Sequence, residues 1–134
     1  MSRRERVKPG RMRYFSVEVP VLKVEPLFVL GCSHDRFAAL MLKRFKLRVK
    51  KEDPDDENVM IGRMYTFNCE PWRVVWTRDV DLPVALHETF HLVTRICSDK
   101  GIVIRAHNER GDNDDETAAY LFECLARVVI KRCR

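Results

Sequence analysis

The sequence predicts an α+β domain: a small β-sheet with a hairpin, then a long helix and a C-terminal helix. Three observations carry this. Apolar residues recur with a period of two over several segments before Asp81 and at helical spacing after it. Most strand-like segments precede the two long helices instead of alternating with them, which argues against a parallel βαβ array. The chain has 134 residues, 46% hydrophobic and 34% charged, enough for one core and too polar for a membrane-embedded protein.

Residues 1–13 read as a flexible basic arm, with Arg3, Arg4, Arg6, Lys8, Arg11 and Arg13 around Pro9-Gly10 and little apolar surface to bury. Residues 14–134 then form a single domain. Tyr14 to Val24 reads as a strand with Phe15, Val17, Val19 and Val21 on one face, and Pro20 implies an edge or a bulge. Leu27 to Leu30 is a second short strand. Ser33 suits the N-cap of a helix from His34 to about Lys46, with Phe37, Leu40, Met41 and Phe45 as its apolar face. Residues 50–58 are a solvated loop. Val59 to Phe67 and Trp72 to Thr77 form a hairpin around Asn68 to Pro71.

Asp81 caps a helix from Leu82 to about Asp99, with Pro83 in its first turn and Gly101 stopping it. An extended piece from Ile102 to Arg105 leads through a polar loop to a last helix from about Asp114 to Lys131. Acidic residues at its start and Arg127, Lys131 and Arg132 at its end suit the helix dipole.

The net charge is +5 and the pI about 9.1. Residues 1–13 hold six basic side chains and one acidic one, so the arm accounts for the whole +5 and the remaining 121 residues balance. The charge is no argument for a nucleic-acid-binding domain, and no helix-turn-helix or zinc-finger pattern supports one. It leaves a narrower expectation, an arm that touches DNA or an acidic surface. Five widely spaced cysteines without a CxxC pair exclude a disulfide scaffold and a zinc ribbon. With no apolar run long enough for a signal peptide or a membrane span, a cytoplasmic protein without membrane contact is expected.

The chemistry lies in His87-Glu88-Thr89-Phe90-His91, an HExxH pattern on the first long helix. Histidines four residues apart lie about 40° apart around a helix, so both imidazoles can reach one Zn2+ ion. Glu88 can then contact the water on the metal and act as general base. A metal site outweighs the plainer reading of two histidines on a partly buried helix. Catalytic zinc normally takes a third protein ligand. A metzincin extension is absent, because Thr94 and Cys97 stand where it needs Gly and His. Cys97 lies about 240° around the helix from His91 and should pack with Leu86, Phe90 and Val93. Glu116, among small residues at the start of the last helix, is the first choice of third ligand. His107 in the loop and Glu123 on the same helix face as Glu116 are the alternatives. Tyr120 shares that face and could donate to an oxyanion, though packing is the simpler role.

HETFHLV, ICSDKGI and NDDETAAYLFECL together resemble the small zincin-like proteins of tailed phages and prophages. The resemblance covers about 50 residues from Leu82 onward and extends to the minimal gluzincin plan of peptidases that cleave phage repressors. It implies a minimal zincin-like domain with His87, His91 and Glu116 as zinc ligands and Glu88 as base. Two functions follow as expectations. One is a zinc metallopeptidase acting on a protein or peptide substrate such as a phage structural protein, held as an added strand along an edge such as Trp72 to Thr77. The other is a non-catalytic assembly component of the virion head, neck or tail.

Overall fold

The computed structural model describes residues 11–50, 60–102 and 116–134. Its elements run β1 (Arg13–Ser16), β2 (Leu27–Leu30), α1 (His34–Phe45), β3 (Gly62–Thr66), β4 (Arg73–Thr77), α2 (Leu82–Asp99) and α3 (Glu116–Arg132). The four strands form one sheet in the order β1-β2-β4-β3. β1 and β2 are antiparallel, β2 and β4 parallel, and β3 and β4 antiparallel. The mixed architecture agrees with the α+β expectation.

Side chains alternate across the two central strands and divide the core in two. Leu27, Val29, Val74 and Trp76 face α1, where Phe37 and Met41 cover them. Phe28, Leu30 and Val75 face the other way, toward Leu92 and Ile96 of α2 and Leu121 and Leu125 of α3. A strand covered on both faces needs apolar residues throughout, and β2 (LFVL) and the VVW of β4 meet that need. Trp76 Nε1 donates to the Cys32 carbonyl at 3.0 Å, so the buried indole has its partner.

Three expectations change. The run from Tyr14 to Val24 is not one strand: it reverses at a turn over Pro20 to Lys23, closed by a Val19–Val24 bridge, with Lys23 at φ 53°. Alternation alone cannot distinguish a strand that continues from one that doubles back, and Val21 consequently sits at the turn, 85% exposed. The strand Trp72 to Thr77 lies inside the sheet as β4, so it offers no free edge. Among the described residues the edges are β1 and β3. Phe90 is 58% exposed and does not pack with Cys97 in the core; its ring meets Phe122 edge-on at 6.3 Å.

The helix ends follow their residues. Ser33 caps α1 by accepting from Arg36 N, and Asp81 caps α2 by accepting from Val84 N. At the far end of α2, Gly101 takes φ 69°, Gly101 N donates to Ser98 O and Ile102 N to Cys97 O. This double bond pattern is the Schellman stop, with Ile102 folded onto the core. The last helix begins at Glu116 among the described residues. Residues 1–10 of the arm, the loop 51–59, His107 and the rest of 103–115 lie outside them, while Arg13 opens β1. No helix among the described residues is long and apolar enough to cross a membrane.

Candidate metal centre

Helix α2 sorts its residues by angle. Ala85, Thr89, Leu92 and Ile96 face the core, with Glu88 on one flank of that stripe and Cys97 on the other. His87 and His91 fall on the exposed side next to Glu88. The motif thus splits, with two imidazoles in solvent and a carboxylate tucked against the sheet. His91 Nε2 lies 3.1 Å from His87 Nε2. Zinc–nitrogen bonds near 2.05 Å in tetrahedral geometry space two ligand nitrogens by about 3.3 Å, so the pair fits one ion with little adjustment. Glu88 is 8% exposed, and its Oε1 is 4.0 Å from His87 Nε2.

Gly62, the first residue of β3, positions that carboxylate. A Cβ there would lie 3.2 Å from Glu88 Cγ, 3.0 Å from Val84 Cγ1 and 3.2 Å from the Trp76 carbonyl oxygen. A residue without a Cβ lets the helix bring Glu88 this close to the strand without crowding. Sequence reasoning missed Gly62, although a glycine inside a strand pattern is a recognised sign of close approach.

An open groove of about 510 Å³ runs between this strand and helix, lined by Gly62, Met64, Glu88, His91, Thr94 and Arg95 among others. The ladder bonds from Arg78 N to Ile61 O and from Phe67 N to Trp72 O fix which residues of β3 bond inward. The residues between alternate with them, so the N–H and C=O groups of Gly62, Met64 and Thr66 point away from β4, along the groove side of the edge.

The remaining candidates lie on α3, which runs antiparallel to α2. The charge of Asp81 at the start of α2 reaches Cys133 at the end of α3, and Phe90 meets Phe122 midway. Glu123 is engaged with Arg127 one turn on, and Glu116 is exposed at the helix start. Among the described residues no three His, Cys, Asp or Glu side chains are gathered into a group that could hold a metal ion. Tyr120 is exposed, and a hydrogen bond with Cys124 raises its phenol pKa. Cys97 is fully buried in the core, with its thiol pKa raised by desolvation.

No protein-family model, no curated protein and no solved structure matches this chain.

Proposed function

We propose that this protein is a zinc-dependent peptidase of minimal zincin-like plan, from a tailed phage or prophage, acting in the host cytoplasm or in the virion. The observation that carries the reading is the geometry of the motif: two Nε2 atoms 3.1 Å apart in solvent, beside a carboxylate held at the floor of a groove under a strand edge. His87 and His91 would hold the ion, and a carboxylate of α3 would have to approach to complete the set. Glu116 is the first candidate for that role, and Glu123, paired with Arg127 on the same helix, is the alternative. Zinc held there supplies Lewis acidity, which makes water a nucleophile near neutral pH. Glu88 takes the proton of the attacking water on a carboxylate oxygen and returns it to the leaving amine. The edge of β3 orients the substrate: an extended peptide pairs with the outward backbone groups of Gly62, Met64 and Thr66 and lies across the groove above Glu88.

Zinc analysis of the purified protein beside a peptide-hydrolysis assay tests this. Glu88→Gln should keep zinc and lose hydrolysis by roughly 10²- to 10⁴-fold, the contribution of a placed general base. His87→Ala should lose zinc. Loss of zinc in Glu116→Ala but not in Glu123→Ala is expected; the reverse pattern moves the role to Glu123. Undiminished hydrolysis by Glu88→Gln sinks the catalytic reading.

A further inference from the structure

The groove between β3 and α2 runs on past the histidines, and that end is cationic. Arg95 stands seven residues after Glu88, so it falls on the same flank of α2, about 10 Å further along the axis. It lines the groove with Thr94 and Ser98 of the helix and Met64 of the strand. Asp99, one turn beyond, is shared by two arginines. Arg73 of β4 is fully engaged there: its Nε and a terminal nitrogen donate to Asp99 Oδ2 at 3.0 and 2.8 Å, and its side chain is 13% exposed. Arg95 leans on the other oxygen, with Nε 3.2 Å from Oδ1, and its side chain is 50% exposed. Arg63 lies over the Tyr65 ring at 5.2 Å. The described charges along this wall are Arg63, Arg73 and Arg95 against Glu88 and Asp99, one positive charge in excess before any metal is bound. On α3 the pair Glu123–Arg127 cancels, and that helix packs on the opposite flank of α2, where Phe90 meets Phe122.

We propose that Arg95 is the specificity-determining residue of this groove and takes a carboxylate of the substrate peptide. The inference rests on the peptidase reading for the cleavage, though not for the binding. The Nε contact with Asp99 orients the guanidinium and uses one of its five N–H groups, and a carboxylate is the ligand that meets two of the others at once. The excess charge fixes the sign of that ligand and disfavours lysine or arginine in its place. Asp99 keeps Arg73 when Arg95 turns to the substrate, so binding strands no charge. An extended peptide along β3 rises about 3.4 Å per residue, so a group about 10 Å beyond Glu88 belongs to a residue about three positions from the bond above it. The carboxylate is the end of the peptide chain or an Asp or Glu side chain at that position.

The test measures binding of labelled synthetic peptides to the full chain by fluorescence anisotropy, with zinc and again with a chelator so that no carboxylate sits on a metal. The parent peptide is neutral, rich in Val and Thr, and amidated. A second peptide carries one internal Glu, a third a free C-terminal carboxylate, and a fourth one internal Lys. The Glu peptide, the free-acid peptide or both should bind roughly tenfold or more tightly than the parent in both conditions, the effect of a charge-assisted pair. Which of the two gains tells a side chain from a chain end. The Lys peptide should bind no more tightly than the parent. Arg95→Gln should bring all four to one affinity, with an unchanged melting temperature showing that the variant is folded. Arg95→Lys should recover part of the preference, because it restores the charge without the planar fork. Arg63→Gln should keep the preference. Equal binding of acidic and neutral peptides, no binding of any, a preference that survives Arg95→Gln, or one that is lost in Arg63→Gln overturns the proposal. Acid-selective binding without hydrolysis of any peptide sinks the peptidase reading and leaves the role of Arg95 standing; hydrolysis without acid preference does the reverse.

Discussion

Gly62 and Glu88 show how one missing Cβ can set the position of a functional group. The strand passes so close to α2 that an alanine methyl at position 62 would meet a side chain of α2, the Glu88 stem and a backbone oxygen of β4 within 3.2 Å. Relief requires the strand, the Val84 and Glu88 side chains or the helix to shift by a few tenths of an ångström. Gly62→Ala should therefore cost about 1–3 kcal/mol by overpacking. It should lower hydrolysis while zinc binding persists, since His87 and His91 stand on the solvent side. Chemical denaturation together with zinc analysis checks this; a fully stable and fully active variant would show that the wall does not hold Glu88. The cysteines give a second test at this scale. Burial raises the thiol pKa of Cys32, Cys97 and Cys133. A raised folded pKa means that the native state keeps its protons where the unfolded chain has begun to lose them. The stabilising contribution is thus complete below the ordinary thiol pKa and is lost as pH rises through the folded values. Melting temperature should fall on the alkaline side, and less steeply in Cys97→Ala once its own cavity cost is subtracted. A thiol reagent at neutral pH should label exposed Cys69 first and reach Cys32 and Cys97 only on unfolding.

Among the elements, the helices were the most legible. Ser33 and Asp81 announce the starts of α1 and α2, and Gly101 announces the end of α2, because caps are local chemistry read from neighbouring residues. Asp81→Ala should cost about 1 kcal/mol, the usual worth of such a cap, measured by urea unfolding at unchanged m-value. The placement of strands was less legible, since spatial order is a long-range property. β4 follows β3 in sequence yet lies between β3 and β2 in space. Its unbroken Val74-Val75-Trp76 run was the clue, for an edge strand with one wet face would alternate. The site divides in the same way. His87, Glu88 and His91 belong to one helix, so their spacing fixes their relation. Glu116 and Glu123 belong to another, and their relation to the histidines depends on how the two helices pack, which no spacing rule could give.

For the whole molecule, the net charge lies in residues 1–13, and the chain from Tyr14 onward is electrically balanced. The strand order also has a kinetic side. Parallel pairing of Leu27–Val74 through Leu30–Thr77 joins segments more than forty residues apart before α2 has a sheet to lie on. Closing so long a loop spends chain entropy before any contact repays it, so sheet closure should limit the refolding rate. The HExxH helix docks on a surface that this closure creates. Val75→Ala should therefore slow refolding, whereas Asp81→Ala should mainly hasten unfolding, as stopped-flow chevrons would resolve. Of the groups proposed to grip zinc, the two histidines would come into their final setting late, after the long-range pairing has already been decided without them.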